Sequence, residues 1–110
     1  MTGKLSPLPA EKDPVKLDPE HYQLEYENDR VRVLRVHYGP HERSRLHCHP
    51  PSIVVVLSRL DFRFYNPRGR EQNIIGRQGQ IIAFEEAFEH EPENLSSEPF
   101  EGIMIELKPE

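Results

Sequence analysis

The chain has 110 residues, of which 35% are hydrophobic and 30% charged, and its formal net charge is −5 at pH 7. This length supports one hydrophobic core, so we expect a single folded domain. The negative charge excludes a general nucleic-acid binder or a binder of anionic membranes, because both need a basic surface. No apolar run approaches the roughly 18 to 20 residues that span a bilayer, so no membrane partner is expected.

Residues 1–20 differ in composition from the rest of the chain. They contain four prolines and few large apolar side chains. Proline restricts the backbone and lacks an N–H donor, so this segment is predicted to be an extended arm ahead of a folded domain at residues 21–110. The arm is expected to trail in solvent or to cross a neighbouring subunit. Because no signal peptide is recognisable and the lone Cys48 cannot form an internal disulfide, we expect a cytoplasmic protein.

From residue 22 onward the sequence divides into short β-type segments separated by turn residues. The segments are β-branched, aromatic or alternating in polarity, which is typical of strands. The predicted strands are residues 23–26, 31–38, 45–49, 53–57, 61–65, 72–75, 80–84, 89–94 and 102–107. The sequence Asn-Pro-Arg-Gly at residues 66–69 predicts a hairpin turn, since Pro and Gly suit its restricted positions. This pattern indicates an all-β sandwich or barrel.

The segment His47-Cys48-His49 is the first candidate for chemistry. On an extended strand, Arg45, His47 and His49 share one face and Cys48 points to the other. Imidazole suits divalent first-row metals, and a third imidazole from a distant strand, such as His90, would complete one face of an ion. A pair of surface or hydrogen-bonded histidines without a metal is the alternative interpretation. Cys48 is expected to pack behind the histidines as a buried thiol.

Two separated motifs resemble those of the cupin superfamily. In the first, Gly39 precedes His47 and His49, after a slightly longer gap than the cupin pattern has. The second motif matches in spacing at Gly79, His90 and Asn94. Glu85 and Ala87 replace the Pro and Gly of that second pattern. The resemblance therefore rests on the order and spacing of the motifs, over about residues 31–107.

The resemblance implies a fold, a metal site and a role for one amide. The fold would be a small cupin β-barrel, a double-stranded β-helix or jelly-roll of two antiparallel sheets with the site inside. His47, His49 and His90 would bind one divalent transition metal, which the sequence leaves open among Fe, Mn, Ni and Zn. Asn94 would support a turn, since Asn side chains readily cap local backbone groups.

The chain also departs from the cupin pattern. The position of the usual glutamate ligand falls on Ile53 or Val54, neither of which can coordinate a metal. The predicted ligand set is therefore three neutral histidines with no carboxylate, which favours an anionic ligand. Arg45 is a candidate for binding such a substrate, the alternative being that it reaches solvent. The residues expected in the barrel core include Phe62, Phe64, Phe84, Ile103 and Ile105.

These features lead to competing functional hypotheses. The first is a metal-dependent enzyme acting on a small metabolite, anionic ones included, as a dioxygenase or by Lewis-acid chemistry such as isomerisation. The second is a non-catalytic cupin module that binds a metabolite or a metal, and the third is a metal-free barrel. A homodimer is expected in each case, because uncovered strand edges otherwise invite uncontrolled association.

Overall fold

Nine strands form the barrel in the computed structural model, which describes residues 10–109. They are β1 (Tyr22–Glu27), β2 (Val31–Tyr38), β3 (His47–His49), β4 (Ser52–Val56), β5 (Leu60–Tyr65), β6 (Glu71–Gly76), β7 (Ile81–Phe84), β8 (Phe88–Asn94) and β9 (Phe100–Leu107). Each predicted strand lies within two residues of an observed one at both ends. The alternating pattern thus located every strand.

The strands form two facing antiparallel sheets. The larger sheet has the order β1-β2-β9-β4-β7 and the smaller one the order β3-β8-β5-β6. All registered pairs are antiparallel, as predicted for a jelly-roll of two antiparallel sheets. Non-sequential neighbours such as β2 with β9 and β3 with β8 bring distant parts of the chain together. This arrangement encloses one interior into which alternate residues of every strand can point.

The core lies between the sheets. Its buried members are Tyr22, Leu34, Val36, Tyr38, Val56, Leu60, Phe62, Phe100 and Met104. Phe62 is part of this core, and Phe64 packs against it, as predicted. The prediction for Ile103 and Ile105 is wrong. Burial alternates along β9 so that Met104 and its neighbours two residues away are buried, which puts both isoleucines on the outer face of the sheet.

The segment before the barrel is not extended where the structure describes it. Residues Ala10–Lys12 form a 3₁₀ turn and Pro14–Leu17 form a short helix, α1. Asp13 caps α1 by accepting a hydrogen bond from the Val15 N–H at 3.0 Å, and proline fits the first helical turn. Residues 1–9 of the predicted arm lie outside the described residues. The division of the chain at residue 20 stays a prediction.

Local turn chemistry fixes the hairpin between β5 and β6. Gly69 adopts φ +79°, a region that glycine enters without a steric penalty. The Asn66 side chain accepts hydrogen bonds from the N–H groups of Arg68 and Arg70, both at 2.9 Å. The predicted turn is confirmed. Over residues 10–109, the helices are too short and too polar to cross a membrane.

Candidate metal centre

Antiparallel pairing brings three histidines into one cluster. His47 and His49 are two residues apart on β3, so both face the interior. β8 pairs with β3 so that His90 lies directly opposite His47. His47 and His49 have no solvent exposure and His90 has 5%. One ring nitrogen from each histidine lies within 4.8 Å of the others, so the three side chains can hold a metal ion.

Hydrogen bonds define which nitrogens are free in two of these rings. Nδ1 of His47 lies 2.7 Å from the carbonyl oxygen of Arg45, and Nδ1 of His49 lies 2.7 Å from a carboxylate oxygen of Glu106. Because a carbonyl and a carboxylate oxygen only accept, both histidines donate through Nδ1–H. In the neutral form of each ring, Nε2 then carries the lone pair. The Nε2 atoms of His47 and His90 lie 3.1 Å apart.

Two buried nitrogens in the cluster lack a hydrogen-bond partner among residues 10–109. They are Nε2 of His49 and Nδ1 of His90. Leaving a buried polar atom unpaired costs about 1–3 kcal/mol, so such atoms call for a partner. A divalent transition metal would accept the Nε2 lone pair of His49 together with nitrogens of the other two rings. The residues present thus fit a metal ion. Imidazole ligands suit several first-row metals, so the ligand set does not select one of them.

The environment keeps at least two of the histidines neutral. Burial, followed by the neighbouring His49, lowers the pKa of His47 to about 3. The same two causes, burial first, put the pKa of His90 well below its ordinary value. Metal binding requires neutral imidazole, because a protonated ring nitrogen has no lone pair to give. At neutral pH these side chains are ready to bind without first losing a proton.

Glu106 is a site residue that the sequence did not reveal. It occupies an inward position of β9 and is 3% exposed. One carboxylate oxygen accepts from His49, and the other accepts from Nε of Arg32 at 3.0 Å. The missing motif carboxylate is therefore not replaced as a ligand, since the cluster contains histidines alone. The negative charge of Glu106 lies behind His49 instead, on the side of the ring away from the cluster. The clue was that Glu106 shares strand parity with Met104, not with the two isoleucines.

A second buried carboxylate supports His47. The Ser44 hydroxyl donates to Asp18 and lies 3.2 Å from Nδ1 of His47. Nδ1 of His21 also lies 2.6 Å from the Asp18 carboxylate. Asp18, His21 and Ser44 are all less than 9% exposed. No motif marks these residues: Asp18 lies in the predicted arm, His21 directly after it, and Ser44 just before the predicted strand at residues 45–49.

A small apolar chamber adjoins the histidines. Its volume is about 50 Å³, and its wall includes His49 and His90. Aromatic and aliphatic side chains make up the rest, with no arginine, lysine or carboxylate among the described lining residues. An open groove of about 620 Å³ lies outside the barrel. Phe64, Phe84, Phe88 and His90 line both spaces. They therefore form the wall between the chamber and solvent.

Three other predicted residues have clear positions. Arg45 is exposed ahead of β3 and lines a separate surface groove of about 240 Å³, away from the three histidines. The structure does not bring its side chain to the cluster, and a role in substrate binding stays a prediction. Asn94 supports a turn as predicted, donating to the carbonyls of Gly39 and Glu98 and accepting from the Ser96 N–H, each at 3.0 Å. Cys48 is buried, as predicted.

Fold and cluster together define a small cupin-type barrel with a buried three-histidine centre. The chain is similar to a cupin domain from Bordetella pertussis Tohama I, with a TM-score of 0.72 and 24% identity over 79% of this chain and 91% of that one. It is also similar to a Klebsiella pneumoniae protein with a double-stranded β-helix domain, with a TM-score of 0.61 and 19% identity over 81% of this chain and 73% of that one.

A third solved structure, described as a predicted oxalate decarboxylase from Thermotoga maritima, gives a TM-score of 0.54 and 17% identity over 74% of this chain and 69% of that one. No protein-family model and no curated protein matches the sequence. These likenesses show the fold: the chain folds as a β-barrel of the cupin type, as its motifs indicated. At such identities they carry no reaction from those proteins to this one.

Proposed function

We propose that this protein is a metal-binding cupin that acts as a metal-dependent enzyme on a small molecule, with a dioxygenase-type reaction as the leading case. One observation carries the proposal. The buried cluster leaves Nε2 of His49 without a hydrogen-bond partner among the described residues, beside an apolar chamber. A bare protein gains nothing from that arrangement, whereas a metal site needs it.

In this proposal the three histidines are the metal ligands, and two backbone or side-chain oxygens orient their rings. His47, His49 and His90 hold the metal, and the carbonyl of Arg45 and the carboxylate of Glu106 orient two of the rings. A bound first-row metal supplies Lewis-acid or dioxygen chemistry at the coordination positions that the protein leaves open. The apolar wall keeps bulk water away, which strengthens electrostatic interactions at the centre.

The chamber sets the size and polarity of what can reach the metal from inside the barrel. A cavity needs about 10–15 Å³ on this measure to hold one water molecule, so a chamber of about 50 Å³ has room for a few water-sized groups, which corresponds to a small molecule. A larger substrate would have to approach from the outer groove, past Phe64, Phe84 and Phe88. No described cation lines the chamber. Inside the chamber, an anionic substrate is therefore supported by the charge of the metal alone, whereas Arg70 lines the outer groove.

Elemental analysis of protein purified without a metal-affinity column tests the proposal. We expect about one equivalent of a divalent first-row metal in the wild type and none after joint replacement of His47→Gln and His90→Gln. Iron accompanied by substrate-dependent oxygen uptake supports the oxidative reaction, whereas a centre loaded only with zinc or nickel contradicts it. A wild type without metal, together with an unchanged melting temperature in the double variant, would leave a metal-free barrel as the remaining hypothesis.

A non-catalytic binding module is the second candidate. The observation that favours it is the absence of a carboxylate or lysine among the described residues lining the chamber, whose titratable groups are two histidines and the buried Tyr22 and Tyr38. Such a module would bind metal and ligand but turn nothing over. Ligand binding measured by calorimetry on metal-loaded protein, without product formation by mass spectrometry, would select it.

We also propose that the protein is a homodimer. The outer face of the five-stranded sheet carries two rows of neighbouring side chains. One row is Val33, Ile105, Ile53 and Ala83, and the other is Arg35, Ile103, Val55 and Ile81. Seven of these eight side chains are apolar. A second copy of the chain presents the same surface and can cover this one with two-fold symmetry. The cytoplasmic location stays a prediction.

A further inference from the structure

We infer that Asp13 and Asp18, in the segment ahead of the barrel, are positioning residues that hold two of the three histidines through two separate hydrogen-bonded paths. This inference rests on the proposed metal function. The sequence assigns this segment to an arm, and nothing in the cupin motifs involves it. Its short helix instead packs on β1 and β3, next to the cluster. The two carboxylates are the first and last side chains that bracket this helix.

The first path runs from Asp13 to His49. Nη1 and Nη2 of Arg32 donate to the two carboxylate oxygens of Asp13 at 2.9 and 2.8 Å. Nε of the same guanidinium donates to Glu106, whose other oxygen accepts from Nδ1 of His49 at 2.7 Å. The guanidinium therefore bridges two carboxylates in fixed geometry. Any displacement of Asp13 is passed to the ring of His49 through planar groups.

Asp13 is charged in this arrangement. Burial alone would raise its pKa, but hydrogen bonds from Arg32 and from the Val15 N–H outweigh that effect and lower the pKa below its ordinary value. The side chains of Asp13 and Arg32 are 17% and 19% exposed, and that of Glu106 is 4% exposed. Solvent screens the interactions among these three charged side chains less than it screens an ion pair on the surface. If Asp13 lost its charge, the Arg32 guanidinium would no longer be shared evenly between the carboxylates of Asp13 and Glu106.

The second path runs from Asp18 to His47. The Ser44 hydroxyl donates to Asp18 and contacts Nδ1 of His47 at 3.2 Å. Nδ1 of His47 also donates to the Arg45 carbonyl at 2.7 Å, so Ser44 and the carbonyl together fix the plane of the ring. Asp18 and Ser44 are buried, with 8% and 4% exposure. Asp18 thus sets the position of a hydroxyl that touches a proposed ligand.

Both paths end at the nitrogen opposite the one that faces the cluster. Holding Nδ1–H directs the Nε2 lone pair inward and raises the basicity of the ring. Loss of such an outer partner typically weakens metal binding by 10- to 100-fold. A carboxylate two steps away should act in the same direction with a smaller effect. The segment before the barrel would then determine metal affinity without supplying a ligand.

The same segment contains a matched control. Nζ of Lys12 pairs with Glu89 at 2.5 Å, which attaches the segment to β8, and Lys12 has no hydrogen bond to any of the three histidines. Lys12→Gln therefore removes a docking contact of the segment and leaves both paths complete. If the carboxylates of Asp13 and Asp18 only fastened the segment to the barrel, replacing either of them would affect metal binding as Lys12→Gln does.

The experiment compares Asp13→Asn, Asp18→Asn and Lys12→Gln in the full-length, metal-stripped protein. Each variant is titrated with Co²⁺, and both the dissociation constant and the visible absorption spectrum are recorded. We expect the two asparagine variants to bind Co²⁺ about 5- to 50-fold more weakly, with altered absorption bands. Lys12→Gln should stay within about twofold of wild type, with an unchanged spectrum. Asp13→Glu should restore part of the affinity.

A second measurement identifies the path from Asp13. If Asp13 acts through Glu106, its substitution should weaken Co²⁺ binding much less in a Glu106→Gln background than in the wild type. Equal, additive effects would overturn that path. Should Asp18→Asn fail to fold, Ser44→Ala interrupts the same path one step later.

The outcomes separate this inference from the proposed function. Wild-type protein that binds Co²⁺ with asparagine variants matching it overturns the inference alone. So does Lys12→Gln weakening binding as much as the asparagine variants do. A wild type that binds neither Co²⁺ nor Zn²⁺ overturns the proposed function itself.

Discussion

Glu106 places a negative charge behind His49 instead of on the metal side of the cluster. Its carboxylate accepts from Nδ1 of His49, and Arg32 balances its charge. A buried carboxylate without such partners would be strongly disfavoured, because it has lost its hydration. The site therefore keeps a ligand set of three histidines, and the charged groups lie behind it. That arrangement strengthens the ligand without occupying a coordination position.

Glu106→Gln should weaken metal binding by about 10- to 100-fold, because the neutral amide of similar size cannot polarise His49. The measurement is a competition titration with Zn²⁺ on metal-stripped protein. Glu101→Gln is the matched control: Glu101 also pairs with a histidine, Nδ1 of His37 at 2.8 Å, but that pair is exposed. A loss of the same size in both variants would contradict the role of Glu106.

The lowered pKa values of His47 and His90 predict a pH dependence for the metal-free protein. Below the ordinary value of 6.5 the unfolded state takes up protons that the folded state refuses, down to about pH 3 for His47. The free energy of unfolding should thus decrease as the pH is lowered from 6.5 to 5, by at most about 1.4 kcal/mol per pH unit for each histidine.

Urea unfolding at pH 7, 6 and 5 checks this pH dependence. The variant His47→Gln has one such histidine fewer and should show a shallower loss. A flat profile in the wild type over this range would show that these side chains titrate normally. Adding Zn²⁺ should raise the stability by a similar amount at pH 7 and pH 5, since His47, with a pKa of about 3, is unprotonated in the folded state at both.

At the scale of elements, β9 organises the molecule. It pairs with β2 on one side and β4 on the other, so it lies at the centre of the larger sheet. One face of the strand contributes Phe100, Met104 and Glu106 to the interior. Gly102 lies between them on that same face. The strand therefore joins the apolar core at one end to the ionic support of the histidines at the other.

Gly102→Ala should destabilise the fold, because an added Cβ would lie 2.8 Å from Cζ of the buried Phe100 ring and 3.4 Å from the Val55 carbonyl oxygen. Overpacking of this kind typically costs about 1–3 kcal/mol. Chemical denaturation measures the change in the free energy of unfolding. Substitution of the neighbouring Glu101→Ala, on the outer face, should cost less; an equal loss would point to strand propensity instead of packing.

For the whole molecule, the larger sheet has an apolar face on each side, and only one of them faces the barrel interior. The outward rows that include Ile105 and Ile103 are partly exposed. An apolar patch of this breadth on a single chain commonly marks an interface between proteins. Self-association would cover it without disturbing the histidine cluster, which lies inside the barrel.

Ile105→Glu should convert the proposed homodimer into a monomer, because it puts a charge at the centre of one outward row. Multi-angle light scattering measures the mass, which should fall by half at equal concentration. Ile75→Glu provides the control: Ile75 is 69% exposed, but it lies on β6 in the other sheet. A wild-type protein that is already monomeric, or a variant that remains dimeric, would contradict this interface.

The local part of this structure follows from the sequence. Strand positions depend on alternating polarity and on turn residues, as at Asn66 and Gly69, and both signals lie within a few residues of the structure they determine. The histidine positions follow in the same way, because His47 and His49 share a face on any extended strand. The spacing of the second cupin motif then predicts where His90 joins them.

Long-range pairing decided the rest. Apolar residues lie on both faces of β9, so alternation alone could not show whether Ile105 or Glu106 faces inward. Packing of the two sheets resolved this, since only the buried Glu106 finds His49 and Arg32 as partners. The segment around Asp13 and Asp18 likewise has no strong local signal. Its ion pairs exist only once strands far apart in the chain have come together.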